Sequence, residues 1–264
     1  MQDVNLSAMT VDRFAQELAI ILTSSDPVEG LDRLMEVGLM LEFLPEVVEL
    51  TGPRAEQDPI YHPEGNVKIH TWRVVQGLAG GSFELVFGGL LHDIGKPATF
   101  VRSGLRISNH GHAKVGAEIA RFICQRLGLS TGQTDHIVQL VLLHMKMHVA
   151  DTLSRRKLLS LLDHPHIEDL IALQHADALG AGFDGQKWSK RDFLVKQLGE
   201  KRQLMTPSPL VTGDTLIRLR LTPGPEFKSI LAAAWAAQNS LNPPFTTEVE
   251  AVAWLQTTKL VKSA

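Results

Sequence analysis

Apolar residues recur along most of the chain at the spacing of amphipathic helices. Residues 10–24 show this pattern first, and a cap, a proline and a capping-box glutamate at 26–29 predict a second helix that ends near Gly38. A third apolar stretch at 39–50 precedes a loop rich in proline and glycine at 51–66. Helical spacing continues at 66–79, 82–94, 111–128, 132–148, 154–163, 166–180, 188–203, 212–220, 225–240 and 246–257. Because we find no convincing alternating strand run, the pattern predicts an all-α fold.

The weakest join between these segments is 180–187, which has three glycines in eight residues. We therefore expect amino-terminal helices at 1–55 that pack on a core at 56–182, followed by a carboxy-terminal helical extension at 183–264. Apolar residues at 230–237 are expected either to pack internally or to form a dimer, so the oligomeric state stays open.

Composition narrows the class of protein. Cys124 is the only cysteine among the 264 residues, which excludes an intramolecular disulfide and a two-cysteine zinc module. The amino terminus lacks a basic start followed by an apolar run, and no segment reaches the roughly 18 apolar residues of a membrane span. A net charge of −3 gives no overall bias toward nucleic acid. We expect a cytoplasmic protein with no membrane partner.

Candidate chemistry begins at the end of a nearly wholly apolar segment, 84–93, which terminates in His92 and Asp93 before Gly95. Consecutive helical residues point about 100° apart, so the pair can share a cation only near a helix end, where the helix dipole also favours positive charge. A capping pair bonded to backbone is the alternative. Further candidate ligands lie on separate predicted helices, and they are His70, His112, His144 and Asp177. Imidazole and carboxylate together suit zinc, iron, manganese or nickel.

The sequence HDIGK at 92–96, with a helical histidine upstream and a helical aspartate downstream, resembles the HD phosphohydrolase superfamily. The resemblance implies an HD-type helical core with a carboxy-terminal helical extension. It also implies a metal-dependent phosphoric ester hydrolase whose metal ligands are His70, His92, Asp93 and Asp177.

A closer resemblance is to the HD region of bacterial CCA-adding tRNA nucleotidyltransferases, carried by 61–71, 90–100, 111–120 and 173–180. Residues 210–231 and the amino-terminal helices that end in FLPEV are also similar to those enzymes. Their catalytic head carries a Gly-Gly/Ser motif followed by paired aspartates that bind magnesium.

One departure from that family is large. Gly80, Gly81 and Ser82 imitate the head motif, but the second aspartate would fall at Gly95, and Asp93 already belongs to the HD site. We therefore expect a freestanding HD lobe that does not add nucleotides.

The resemblance also bears on the number of ions. His112 matches the histidine of the family's GHExxG element, although in this chain Ala113 replaces the acidic residue of that element. His144 matches a later histidine that is found in family members with two metals. His148, one turn after His144, is the alternative ligand. The cofactor is thus expected to be one or two divalent ions, with Mn, Ni, Co, Fe, Zn and Mg all open.

A metal-bound hydroxide would attack phosphorus in such a site, with Asp93 as the bridge between two ions. Lys96 is expected to place positive charge on the phosphoryl oxygens, or else to be a solvated lysine. His62 and Glu64 either approach the substrate or only shape a turn. Arg155 and Arg156 are expected either to bind phosphate or to pair with Asp151 or Asp163. The predicted substrate-binding residues are His62, Lys96, Arg155 and Arg156.

The substrate is the least determined feature. Residues 187–202 hold six basic and two acidic residues with Trp188 and Phe193 between them, a pattern suited to a nucleic-acid backbone or to a solvated amphipathic helix. The resemblance favours a nucleotide or an RNA-end phosphate, including 2′,3′-cyclic phosphodiesters, with tRNA or another RNA as partner. The alternative is an RNA-binding or nucleotide-responsive HD module with little turnover.

Overall fold

The computed structural model describes residues 9–58, 65–104, 106–182, 189–205, 209–238, 244–245, 247–258 and 260. The chain divides into two compact units, Met1–Lys201 and Arg202–Ala264. The predicted division into 1–55, 56–182 and 183–264 stays a prediction.

The first unit is built from helices of very different lengths. In chain order they are α1 Val11–Leu22, α2 Pro27–Glu36, α3 Leu39–Phe43, α4 Pro45–Val48, α5 Val67–Gly77, α6 Phe83–Leu91, α7 Lys96–Thr99, α8 His112–Arg126, α9 Thr131–His148, α10 Arg155–Leu162, α11 Ile167–Gly180 and α12 Arg191–Met205, the last of which contains the boundary between the units. Short 3₁₀ turns follow α4 at Glu49–Thr51 and α9 at Ala150–Thr152. The predicted all-α class is confirmed.

Local sequence explains where the early helices begin and end. Asp26 accepts a hydrogen bond from the backbone N–H of Glu29 at 3.3 Å, and Pro27 occupies the first turn of α2. After α2 the chain turns at Gly38, whose φ of +80° favours glycine. The predicted third helix at 39–50 is divided instead into α3, α4 and a 3₁₀ turn, because Pro45 cannot continue the helix that precedes it.

The described part of the chain also contains one small sheet. Strand β1 (Val101–Ser103) pairs antiparallel with β2 (Arg106–Ser108), with Val101 opposite Ser108. These strands have three residues each, and they are mostly exposed. The alternation of polar and apolar residues that marks a half-buried strand is therefore missing, and sequence reading did not find them.

Helices α5, α6, α8, α9 and α11 pack on one another to form the centre of the first unit. Every residue of α6 from Leu85 to Leu91 is buried, so its neighbours must approach closely. Two glycines allow this approach: a Cβ on Gly88 would lie 2.6 Å from a side-chain atom of Leu140 in α9, and one on Gly89 would lie 2.5 Å from Leu78. The buried end of α6 is thereby held in the middle of the helical bundle.

The second unit has a core of its own. It contains α13 (Gly213–Arg218), α14 (Pro225–Gln238) and α15 (Glu248–Thr257). Thr212 and Thr215 form a capping box at the start of α13. Its buried apolar side chains are those of Val211, Leu216, Ile230, Ala234, Phe245, Ala251 and Leu255. The predicted internal packing of 230–237 thus holds for Ile230 and Ala234.

Among the helices that the structure describes, none combines the length and the apolar character needed to span a bilayer.

Gly95 provides a test of this packing. A Cβ at this position would lie 2.2 Å from the backbone oxygen of His112 and 2.6 Å from the backbone nitrogen of Gly116, and neither atom can rotate away. We expect Gly95→Ala to lower the free energy of unfolding by about 3 kcal/mol, as measured by urea unfolding followed by circular dichroism. Gly132→Ala in α9 is the matched control, because its Cβ meets open space; it should stabilise the helix by about 0.5–1 kcal/mol. Equal effects of the two substitutions would contradict this account.

Candidate metal centre

His92 and Asp93 lie directly after the last residue of α6, where the buried helix ends. His92 is fully buried and Asp93 is 2% exposed. The Nδ1 atom of His92 lies 2.7 Å from the carbonyl oxygen of Gly89. A carbonyl oxygen can only accept, so Nδ1 carries the hydrogen and the lone pair of Nε2 faces away from the helix. The capping alternative is therefore half right: the ring does bond to backbone, and this bond aims its other nitrogen at the neighbouring candidate ligands.

Two further histidines are oriented in the same way. Nδ1 of His112 lies 2.8 Å from the carbonyl oxygen of Asn109, and Nδ1 of His144 lies 2.6 Å from that of Val141. In each case Nδ1 donates to the carbonyl three residues earlier, so Nε2 presents its lone pair. A hydrogen bond from the distal nitrogen to a carbonyl is the usual partner of a metal-binding imidazole, because it fixes both the tautomer and the orientation of the ring.

Two clusters of potential ligands result. The ligand atoms of His70, His92 and Asp177 lie within 4.8 Å of one another, and so do those of Asp93, His112 and His144. In the first cluster Nε2 of His70 lies 3.0 Å from Oδ1 of Asp177 and 3.3 Å from Nε2 of His92. All of these side chains are buried. We call the two groups the first and second triads.

Asp93 belongs to the second triad and also faces the first. Its Oδ2 is 3.2 Å from Nε2 of His92 and 3.8 Å from Nε2 of His70, both in the first triad. Its Oδ1 is 3.3 Å from Nε2 of His112 and 3.8 Å from Nε2 of His144. One carboxylate oxygen thus faces each triad, which is the geometry that a bridging ligand needs.

The donor set fits a cation. In the second triad, Nε2 of His112 and Nε2 of His144 are 3.1 Å apart, although both rings donate through Nδ1. Two lone pairs at this distance repel unless a cation or a proton lies between them. Burial lowers the pKa of His144 to about 3, so that ring is neutral near pH 7. A divalent ion bound by nitrogen and carboxylate ligands would remove the repulsion.

The carboxylates of Asp93 and Asp177 are both ionised, and the ionised carboxylate is the form that binds metal. Burial alone would raise the pKa of Asp93, but the charge of Lys96, together with the neighbouring imidazoles of His92 and His112, holds that pKa well below its ordinary value. Burial would also raise the pKa of Asp177. The neighbouring imidazoles of His148 and His70 outweigh this effect, so the pKa of Asp177 also lies well below its ordinary value.

Lys96 lies beside Asp93 and is only 6% exposed. Its Nζ is 2.6 Å from Oδ2 of Asp93, and it donates a hydrogen bond to Oε1 of Gln57. The alternative of a solvated lysine is therefore wrong. Gln57 was missed by sequence reasoning, because a loop glutamine that meets a lysine 39 positions later leaves no local pattern.

Each of the other predicted substrate-binding residues either is exposed or lies outside the described part of the chain. His62 and Glu64 lie outside the described residues. Arg155 and Arg156 are exposed in the first turn of α10. Their alternative partners are engaged elsewhere, since Asp151 pairs with Lys190 and Asp163 pairs with Lys201.

For the second triad, the sequence leaves His148 as an alternative ligand to His144. His144 completes this triad, whereas His148 lies with Nε2 at 2.7 Å from Oδ2 of Asp177. The ligand roles of His70, His92, Asp93, His112, His144 and Asp177 stay predictions, but the structure brings all of these residues together.

Two parts of the chain are similar to known protein families. A family model described as "HD domain" matches residues 67–182, the range that holds both triads. The chain carries an HD domain. A second model, described as "Probable RNA and SrmB-binding site of polymerase A", matches residues 2–50. The HD domain and the helices before it thus correspond to two distinct known modules.

Curated relatives of this HD-domain chain are similar to it over most of its length. The "A-adding tRNA nucleotidyltransferase" of Deinococcus radiodurans is 31% identical over 237 residues, which cover 84% of this chain and 53% of the relative. The "Multifunctional CCA protein" of Halorhodospira halophila is 30% identical over 199 residues, covering 72% and 47% respectively. That of Tolumonas auensis is 27% identical over 231 residues, covering 82% and 55%. The chain thus spans about half the length of these relatives.

The two-triad geometry predicts metal stoichiometry. We expect the purified protein, equilibrated with Mn²⁺ or Ni²⁺, to hold two ions per chain, and His112→Ala to hold one, because the second triad loses a nitrogen ligand while the first keeps its three side chains. Inductively coupled plasma mass spectrometry after desalting measures the content. His110→Ala, at an exposed histidine two residues earlier, is the control and should leave two ions. An unchanged content in His112→Ala would contradict the second site.

Proposed function

We propose that this protein is a metal-dependent phosphohydrolase that acts on a nucleotide or an RNA-end phosphate. The observation that carries the proposal is the position of Asp93, whose two oxygens face two buried triads of nitrogen and carboxylate ligands. A divalent metal held there would activate water for attack on phosphorus and neutralise negative charge on the phosphoryl oxygens. The HD domain supports this class of chemistry.

The residues of the chain have separate tasks in this proposal. His70, His92 and Asp177 would hold the first ion, while His112 and His144 would hold the second, and Asp93 would contribute an oxygen to each. Because three of the histidines are fixed by carbonyl hydrogen bonds, the site is organised before substrate arrives. The six candidate ligands are buried, so bulk water is excluded from around them. Charge interactions inside the site are stronger for this reason.

Lys96 is the proposed positive group beside the phosphate. Its ammonium group contacts the carboxylate of Asp93, so its positive charge lies inside the site and not in solvent. We also propose that His62, Arg155 and Arg156 contact the substrate, because guanidinium groups bind phosphate well and the resembled enzymes carry a pair of arginines similar to Arg155 and Arg156. An RNA substrate is supported by the module matched at residues 2–50 and by a relative whose name includes tRNA. Cyclic 2′,3′-phosphodiesters are the narrowest form of this proposal.

A second candidate function is binding of RNA with little turnover. The match of residues 2–50 to an RNA-binding site favours it, and so do the basic residues of α12, which include Arg191, Lys196, Lys201 and Arg202. In that case the metal centre would serve structure alone. The two candidates make opposite statements about the triads.

The discriminating experiment combines hydrolysis with RNA binding. We expect the wild-type protein, with added Mn²⁺, Ni²⁺, Co²⁺ or Zn²⁺, to hydrolyse bis(p-nitrophenyl) phosphate or a 2′,3′-cyclic nucleotide. His70→Ala and Asp93→Asn should each lower the rate by about 10²–10³-fold or more, because each removes a ligand of the activating ion. Circular dichroism confirms that the variants fold, and His110→Ala is the control that should retain the full rate.

RNA affinity is measured on the same samples by fluorescence anisotropy with tRNA. Hydrolysis that survives both substitutions unchanged would contradict the phosphohydrolase. A wild-type protein that hydrolyses none of the phosphomonoesters or phosphodiesters, yet binds tRNA as tightly as both variants do, would support the binding module.

A further inference from the structure

The two oxygens of Asp177 face in different directions. Oδ1 lies 3.0 Å from Nε2 of His70 inside the first triad, whereas Oδ2 lies 2.7 Å from Nε2 of His148. A carboxylate oxygen only accepts, so Nε2 of His148 carries the hydrogen of this bond. His148 lies one turn after His144 on α9. The same helix therefore supplies a member of the second triad and the hydrogen-bond partner of a carboxylate in the first.

Gln174 fixes the other side of the His148 ring. Its side chain is fully buried, and its Oε1 accepts a hydrogen bond of 2.8 Å from the backbone N–H of Lys190. Because the amide oxygen faces this N–H, the amide nitrogen faces His148, where it lies 3.4 Å from Nδ1. A donor at this position favours Nδ1 as an acceptor and places the ring hydrogen on Nε2, which faces Asp177. The orientation of one amide thus determines the direction of the next hydrogen bond.

The backbone at Lys190 is itself anchored to the HD domain. Nζ of Lys190 lies 2.7 Å from Oδ2 of Asp151, and the hydroxyl of the preceding Ser189 lies 2.8 Å from Nδ1 of His175. Ser189 and Lys190 come just before α12, and they follow residue 182, at which the HD match ends. A backbone amide beyond the HD domain therefore takes part in a hydrogen-bond chain that ends at a predicted metal ligand.

We infer that His148 and Gln174 are positioning residues that orient Asp177 for metal binding, and that the segment after the HD domain completes this arrangement through the backbone N–H of Lys190. The inference rests on the proposed metal centre. Hydrogen bonds to the far side of a ligand fix its rotamer and its basicity, and their loss typically weakens metal affinity by about 10–100-fold. Neither residue has to touch the ion for this effect.

The test measures metal binding by the full-length chain rather than its activity. Isothermal titration calorimetry with Mn²⁺, and the visible spectrum with Co²⁺, are recorded for wild type, His148→Leu, His148→Gln and Gln174→Met. We expect the dissociation constant to rise about 10–100-fold in His148→Leu, with unchanged stoichiometry and an altered Co²⁺ spectrum. His148→Gln keeps an N–H donor and should recover most of the affinity. Gln174→Met keeps the shape without the hydrogen bonds and should weaken binding in the same direction.

His164→Leu is the matched control, because it removes a histidine from the loop between α10 and α11, and its affinity should equal that of wild type. Unchanged affinity in both His148→Leu and Gln174→Met would overturn the inference. A loss of one bound ion in His148→Leu would also overturn it, since His148 would then be a ligand, and so would equal losses in His148→Leu and His148→Gln. Melting temperatures of the metal-free variants exclude unfolding as the cause. A wild-type protein that binds neither Mn²⁺ nor Co²⁺ would instead refute the proposed metal centre itself.

Discussion

The structure of the first unit is organised around the buried negative charge of Asp93. Removing a carboxylate from water costs several kcal/mol even after relaxation, so the charge must be compensated by its neighbours. Lys96 provides a full positive charge at 2.6 Å, and imidazole nitrogens surround both oxygens. Lys96 and His92 are near Asp93 in the sequence, but His70, His112 and His144 come from three other helices, so the compensation requires these helices to be in register with one another. The packing of the bundle and the electrostatics of the site are therefore one constraint.

The shape of α6 follows from this requirement. A polar pair can lie at the centre of a helical bundle only if the helix that carries it is buried on all sides and ends there. Gly88 and Gly89 let α9 and Leu78 approach the helix, and Gly95 lets the next turn pass against the start of α8. The contact of Gly95 with the backbone of α8 also places His112, the first residue of that helix, beside Asp93. Small residues thus set the distances between the ligand-bearing elements.

Sequence alone predicts much of this arrangement, for identifiable reasons. Long helices such as α8, α9 and α11 follow from apolar periodicity, and the positions of the candidate ligands follow from the resemblance to the HD superfamily. What sequence could not show depends on contacts between distant residues. The bond between Gln57 and Lys96 and the chain from Lys190 to Asp177 join residues that are far apart in the sequence and leave no periodic signal. The hairpin at 101–108 escaped because its strands are short and exposed.

The second triad links metal binding to the stability of the fold. With their Nδ1 atoms committed to carbonyl oxygens, His112 and His144 hold two lone pairs 3.1 Å apart in a buried site, which is unfavourable in the metal-free chain. The unfolded chain is free of this repulsion, because its imidazoles separate and are solvated. A cation that binds the folded chain alone therefore stabilises it by about 2.7 kcal/mol at a free concentration 100 times the dissociation constant. Because α9 carries both His144 and the hydrogen-bond partner of Asp177, we expect cation binding at the two triads to be coupled rather than independent.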